Sequence, residues 1–229
     1  MKNPELAATQ ACVFDAYGTL FDVTSAAKRC REALGGNADA LAATWRGKQL
    51  EYSWLRSLMG RHADFWQVTG DALDWSMATL GIADAALRAR LMELYLVLDA
   101  YPDAKDVLTS LKRAKRPAAI LSNGSPKMLE AAIKSAGIRD LLGGDAISVE
   151  DVGIFKPHPS VYALVTKRLG LPAERICFVS SNGWDAAGAA VFGFKAVWAN
   201  RAGQVTEKLP ASPLAMIKSL AELPDLLGL

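Results

Sequence analysis

Residues 13–21 read Val13-Phe14-Asp15-Ala16-Tyr17-Gly18-Thr19-Leu20-Phe21. An apolar run over 11–14 leads into a single carboxylate. Tyr17-Gly18 then turns the chain, and Thr19 brings a hydroxyl four residues after the acid. A short apolar run bounded by glycine predicts a buried strand. Asp15 then stands at the strand's carboxyl end, the edge at which open α/β sheets place ligands. A carboxylate there serves as a nucleophile, a metal ligand or the cap of the following turn, and the stretch alone leaves all three open.

The 229 residues suffice for one large domain or for a core with an inserted one. With 51% hydrophobic residues the chain can bury a substantial core, which excludes a disordered protein. The 26 basic and 24 acidic residues leave a net charge of +2, which argues against nucleic acid or a membrane surface as the main partner. Cys12, Cys30 and Cys177 show no metal-ligand spacing. Cys12 and Cys177 fall in apolar, strand-like runs and read as small core residues rather than a disulfide or a thiol nucleophile. Residues 1–10 contain Lys2, Pro4 and Glu5 and carry no recognisable signal peptide, and no apolar run reaches membrane-spanning length. A reducing, cytoplasmic setting is expected.

Beyond the opening stretch the period is helical, over 23–99. Thr24 or Ser25 caps a first helix that stops at Gly35-Gly36. Further helices are expected over 38–59, 64–80 and 83–98. The second has Leu41, Trp45, Gln49, Tyr52 and Leu55 near helical spacing, and Gly60 ends it. Trp45, Trp54, Trp66 and Trp75 are expected to be mostly core of this bundle. From Tyr101 helices and strands alternate. Strands are predicted over 117–121, 145–149, 176–179 and 195–199, helices over 102–115, from beyond Pro126 to 136, over 160–169 and from beyond Asp185 to 192, and weaker helical segments to the end. Such alternation predicts a Rossmann-like parallel sheet flanked by helices, with right-handed crossovers. The expected division is an α/β core over 1–22 and 100–229, and an inserted all-helical cap over 23–99.

Three predicted strands end in polar clusters: Asp15 with Thr19, Ser122 with Asn123, and Ser180-Ser181-Asn182-Gly183-Trp184-Asp185. Lys156 lies in the loop before the last of these strands. Taken singly, each has an ordinary explanation, as a turn residue, a helix cap or a solvated lysine. In a parallel sheet, however, all strand carboxyl ends share one edge, so the clusters meet in one crevice.

These segments resemble the four motifs of the haloacid dehalogenase superfamily, and the helical insert resembles its cap. Phosphatases of that superfamily carry a second aspartate where this chain has Tyr17, and an acidic, magnesium-binding pair where only Asp185 remains, a poor magnesium site. The run from Trp45 through Arg46-Gly47-Lys48-Gln49-Leu50-Glu51-Tyr52 to Met59, and the run Ser122-Asn123-Gly124-Ser125-Pro126, are similar to the L-2-haloacid dehalogenases. That resemblance implies hydrolytic dehalogenation of a short (S)-2-haloacid with no metal or cofactor. Asp15 attacks the halogen-bearing carbon and forms an ester. Water then attacks the ester carbonyl, with Asp185 as base, held by Asn182 and Lys156. The substrate carbon is inverted, giving an (R)-2-hydroxy acid. Lys156 is expected as the counter-ion of Asp15, and Thr19 and Ser180 as orienting hydroxyls. Ser122 would bind the substrate carboxylate, and Arg46 and Asn123 would receive the halide. Tyr17, Leu50, Phe65, Tyr162 and Trp184 are pocket candidates, with plain core packing as the alternative for Leu50 and Phe65. His62 and His158 receive no catalytic role. A magnesium-dependent phosphatase and a non-catalytic anion-binding protein are the competing readings. The resemblance further implies a homodimer.

Overall fold

The computed structural model describes residues 2–143 and 146–229. After a short helix α1 (Pro4–Ala7) comes strand β1 (Ala11–Phe14), buried along its whole length. Five helices follow: α2 (Ser25–Arg29), α3 (Arg31–Leu34), α4 (Ala38–Leu58), α5 (Phe65–Thr79) and α6 (Ala85–Leu96). The remainder runs α7 (Pro102–Arg113), β2 (Ala118–Ser122), α8 (Pro126–Ala136), β3 (Ala146–Ser148), α9 (Pro159–Leu169), β4 (Ile176–Ser180), α10 (Gly183–Phe192), β5 (Lys195–Ala199), β6 (Ala215–Ile217) and α11 (Leu223–Leu227). Apart from the exceptions given below, the expected helices and strands form, with ends moved by at most three residues, as where α10 begins at Gly183 rather than after Asp185. Asp145, placed in the third predicted strand, lies outside the described residues.

The strand order is β3-β2-β1-β4-β5-β6 and every pairing is parallel. β1 is central, with its neighbours following it in sequence on opposite sides. This is the switch point at which a doubly wound sheet opens a crevice. Phe14 pairs with both Ile120 and Val179, so Asp15 stands level with Ser180, with Ser122 one step farther along. Near-continuous apolar strands such as Ala118–Ser122 are what a sheet covered on both faces requires. Cys12 and Cys177 are register partners in the sheet centre, fully buried and free, as small core residues.

Three sequence expectations need correction. Ala215–Ile217 is a sixth strand, not a helical segment. Three residues are too few to display a strand period, and as an edge strand it alternates only between half-buried, exposed and buried positions. The first insert helix breaks at Cys30 into α2 and α3. Thr24 makes no side-chain cap there and donates instead to Asp22 Oδ1 (2.6 Å). The insert tryptophans are not mostly core. Trp45 is buried, Trp54 and Trp66 are half-buried, and Trp75 is exposed, with the Lys48 ammonium 4.2 Å from its ring centroid. The buried stripe of α4 runs Leu41, Trp45, Gln49, Ser53, whereas Leu55 faces outward.

The chain leaves the sheet for the helices and returns through a narrow neck. Asp22 N–H donates to Asp99 O (2.8 Å), and Phe21 bridges Ala100. A second tie fixes the opening loop from below. Arg201 donates to Thr19 O (3.0 Å), grips both oxygens of Asp103 (2.9 and 2.8 Å) and lies over the Tyr101 ring. Asp103 also accepts from Ser219 Oγ and Leu220 N–H. Burial pushes the Asp103 carboxyl up, but Arg201 and Ser219 outweigh it and hold the group below its ordinary value. A carboxyl lowered by folding stabilises the fold at neutral pH, and that stability is lost as the pH falls through the folded value. Arg201→Ala should therefore cost about 1–3 kcal/mol at pH 7 and progressively less as the pH falls below the ordinary aspartate value of about 3.9. Urea unfolding at pH 7 and across that acid range reads the difference; an equal loss throughout would remove the ion pair as its cause.

Candidate active site

The ladder between β1 and β4 runs one residue past the strand, because Asp15 N–H donates to Val179 O (2.9 Å). Gly18 then turns at φ +92°, in the region that favours glycine, and a Cβ there would stand 3.0 Å from Ser181 Oγ. That turn lays Thr19 against the loop after β4. Thr19 Oγ1 accepts from Ser181 N–H (2.8 Å) and donates to Asp15 Oδ2 (3.1 Å).

Asp15 and Asp185 share one lysine. Lys156 Nζ lies 3.1 Å from Asp15 Oδ1 and 2.9 Å from Asp185 Oδ2, with the Phe178 ring beneath it. Lys156 and Asp185 are 1% and 0% exposed, and Asp15 only 5%, so three ionisable groups share a buried pocket. Burial pulls Lys156 towards the neutral amine, but the two carboxylates outweigh it and hold its pKa above the ordinary value. Burial is also the largest influence on Asp185. With the nearby charge of Asp15 it outweighs Lys156 and the hydrogen bond from Tyr162, leaving this carboxyl above its ordinary range. The lysine itself is placed by Asn123, whose Oδ1 accepts from Lys156 N–H (3.0 Å), and the Lys156–Pro157 bond that follows is cis.

Asn182 binds the first loop rather than the last carboxylate. Its Nδ2 donates to Asp15 Oδ2 (2.9 Å) and Tyr17 O (3.3 Å), and its Oδ1 accepts from Arg46 Nη2 (3.2 Å). The expectation that Asn182 holds Asp185 is therefore corrected. Asp185 is held by Lys156 and by Tyr162 Oη, which donates to its Oδ1 (2.8 Å). Tyr162 is no pocket wall in the ordinary sense. It is fully buried between Phe178, Phe192 and Phe194, and only its hydroxyl reaches the crevice. Ser180 is also corrected: its hydroxyl accepts from Asn182 N–H (3.1 Å), fixing the turn that presents Asn182 instead of orienting a carboxylate. Ser122 Oγ likewise accepts from Gly124 N–H (3.0 Å).

Arg46 does leave the helical insert for the crevice, reaching Asn182 and, at 3.4 Å, Tyr17 O. Tyr17 packs its ring where Gly124 lacks a side chain, since a Cβ there would lie 2.7 Å from the ring. Its buried hydroxyl has no partner among the described residues, and burial holds that phenol well above its ordinary pKa. Phe65 is buried against the rings of Tyr17 (5.7 Å) and Phe155 (5.9 Å). Leu50, one helical turn beyond Arg46, is half-buried, and Trp184 stands edge-on to Trp54 at 5.4 Å between insert and core. Asn123 keeps its Nδ2 free of described partners although its oxygen is committed.

Two residues of the site, Gln49 and Tyr95, have no site role in the sequence reading. Gln49 and Tyr95 bond Arg46's neighbourhood together. The spacing of Gln49, three residues after Arg46 on one helix, was a usable signal; that of Tyr95 was not. His62 faces Glu150 across the insert–core boundary (3.0 Å), and His158 caps α9. Neither histidine is hydrogen-bonded to Asp15 or Asp185. Among the described residues no three metal-ligating side chains cluster, and no helix is long and apolar enough to cross a membrane.

A parallel sheet whose switch point holds two buried aspartates on one lysine, beneath a helical insert that lends an arginine, defines a class of carboxylate-centred hydrolases. Residues 9–193 match the model of the haloacid dehalogenase-like hydrolases. The chain is 46% identical over 219 residues to (S)-2-haloacid dehalogenase 1 of Pseudomonas sp. strain CBS-3, covering 95% of this chain and 96% of that one. It is 47% identical over 220 residues to (S)-2-haloacid dehalogenase 4A of Burkholderia cepacia, covering 96% and 95%. The crystal structure of L-2-haloacid dehalogenase from Xanthobacter autotrophicus with chloropropionic acid covalently bound superposes with a TM-score of 0.88 at 41% identity, over 95% and 97% of the chains. The chain belongs to the haloacid dehalogenase superfamily and, within it, to the L-2-haloacid dehalogenases.

Proposed function

We propose that this protein hydrolyses short (S)-2-haloacids to (R)-2-hydroxy acids, through an ester on an aspartate and with inversion at the substrate carbon. The observation that carries the reading is the shared lysine. Lys156 holds Asp15 and Asp185 in one pocket, yet gives them different surroundings. Asp15 retains slight exposure and takes hydrogen bonds from Thr19 and Asn182, which orient the carboxylate for attack. Asp185 is sealed and its affinity for a proton is raised, which suits a base. The full-length likeness to (S)-2-haloacid dehalogenases supports the same reaction.

In the proposed first step an oxygen of Asp15 bonds to the substrate carbon as the carbon–halogen bond breaks, and the electron pair leaves with the halide. No proton is needed, so Tyr17 can stand where a phosphatase places an acid. Arg46 and the free Nδ2 of Asn123 stabilise the halide, while Ser122 and nearby backbone N–H groups hold the substrate carboxylate. Leu50, Phe65, Tyr17 and Trp184 close the apolar side. In the second step water attacks the Asp15 carbonyl carbon, Asp185 takes a proton, and the hydroxy acid leaves. The two carboxylates and two cations sum to zero charge, so an anionic substrate enters a site that is neutral overall.

The test is halide release from L- and D-2-chloropropionate in EDTA, with chiral analysis of the lactate and p-nitrophenyl phosphate plus magnesium in parallel. Chloride from the L form only, with D-lactate as product, is expected. No halide from either form would reject the reading, and phosphate release would put a phosphatase in its place.

We also propose the division into 1–22 with 100–229 and 23–99, which the neck at Asp22–Asp99 supports. Three free cysteines support a reducing, cytoplasmic setting. A homodimer is supported by the outer end of α4, where Leu58 and Met59 are 84% and 67% exposed beside Leu55. Light scattering should give twice the 24.5 kDa chain mass; a monomer would discard that assembly.

A further inference from the structure

Gln49 is a carboxamide 1% exposed in the middle of α4, and nothing in the reaction above uses it. A buried amide is costly unless its donors and acceptors are met. Those of Gln49 are met by side chains from three insert helices. Nε2 donates to Thr69 Oγ1 (2.7 Å). Tyr95 Oη lies 3.0 Å from Nε2 and 3.1 Å from Oε1. Oε1 accepts from Arg46 Nη1 (2.7 Å). The orientation of this amide is dictated by its partners. The Thr69 hydroxyl already donates to Phe65 O (2.6 Å), so it offers Gln49 a lone pair and requires the N–H. The amide oxygen is thereby turned to Arg46. Tyr95 in turn is held between the rings of Trp45 (5.0 Å) and Tyr17 (5.6 Å, nearly parallel), which keeps its hydroxyl on the amide.

We propose that Gln49, oriented by Thr69 and Tyr95, is the positioning residue that aims Arg46 at the crevice for the halide-releasing step. Clamped at Nη1, the guanidinium presents Nη2 to Asn182 and Tyr17 O, beside Asp15. The inference rests on the functional reading above, in which Arg46 receives the halide. An unclamped arginine must reorganise as charge develops on the leaving atom; a clamped one need not. The clamp therefore acts on the step in which the bond to Asp15 forms and the carbon–halogen bond breaks. Hydrolysis of the ester, in which no halide takes part, is outside its reach.

The experiment is single-turnover halide release, with protein in excess, from L-2-chloropropionate and L-2-bromopropionate. Wild type is compared with Gln49→Leu and Tyr95→Phe, each checked for an unchanged circular dichroism spectrum. Chloride is the poorer leaving group and leans harder on the cation. Gln49→Leu should slow chloride release about 10-fold or more, the loss of one charge-assisted hydrogen bond, and bromide release by less. The bromide-to-chloride rate ratio should rise, and Tyr95→Phe should move it in the same direction by a smaller factor. A general loosening of the insert would slow both halides alike and leave the ratio fixed. An unmoved ratio in either folded variant, whether the rates fall or hold, overturns the inference. Should Gln49→Leu not fold, Tyr95→Phe carries the same comparison. No halide from the wild type would overturn the functional reading and this inference with it; wild-type release with unmoved ratios overturns this inference alone.

Discussion

Asp15→Asn is expected to reduce halide release by on the order of 10⁴-fold or more while changing stability by no more than about 1–2 kcal/mol. The substitution is isosteric, and a carboxamide cannot form the ester by displacement. Its effect on the fold is small because two contributions oppose. Asp15 and Asp185 crowd one ammonium, and the charge of Asp15 helps push Asp185 up. Removing it relieves that repulsion and leaves a neutral Lys156–Asp185 pair. Against this, the new amide must turn its oxygen to Lys156, so its N–H₂ then meets the Nδ2 of Asn182, which now donates to Asp15 Oδ2 (2.9 Å). Asn182 can flip only by withdrawing its oxygen from Arg46. One hydrogen bond lost is worth about 1 kcal/mol. Halide release and thermal unfolding measure the two expectations, and the intact mass verifies that asparagine has not deamidated. Release near the wild-type rate from the intact variant would remove Asp15 as the nucleophile.

That Asp15 could be singled out before any coordinates reflects what strand ends encode. A run of four apolar residues stopped by a carboxylate and a glycine has one economical placement, a central strand opening at the sheet edge, and β1 takes it. Once the strands are parallel, the meeting of Asp15, Ser180 and Ser122 follows from register alone. Register does not fix which hydroxyl or amide bonds which carboxylate. The family resemblance implies that Asn182 holds Asp185 and that Ser180 orients a carboxylate, and neither follows from register. In the folded chain Asn182 is the N-cap of α10 and meets Asp185 only through the backbone, its carbonyl accepting from Asp185 N–H (3.0 Å), while its side chain faces the first loop. Tyr162 shows the converse. Its helix suggests a pocket wall, yet the ring packs in the core; that its hydroxyl reaches Asp185 depends on how α9 sits against α10, which no local pattern records. The short strand Ala215–Ile217 was illegible for a third reason, because its pairing with β5 rather than its own composition makes it a strand.

Asp185→Asn is expected to divide the reaction at the ester, giving about one equivalent of halide per active site and then stopping. Displacement needs only Asp15, a cation for the halide and no proton transfer. Lys156 would remain beside Asp15, and with one carboxylate fewer the lysine's whole charge would fall on the nucleophile. Hydrolysis needs a base for the attacking water. In the wild type that role suits Asp185, because burial raises its proton affinity while Lys156 and Tyr162 fix both oxygens. Intact-mass spectrometry after mixing with L-2-chloropropionate should show the protein heavier by the bound propionate, stable through the time in which the wild type has turned over. Repeated turnover by Asp185→Asn would overturn this assignment. The other carboxylate on Lys156 is then the esterified one, so the water would have to be activated from outside the pocket that holds both aspartates.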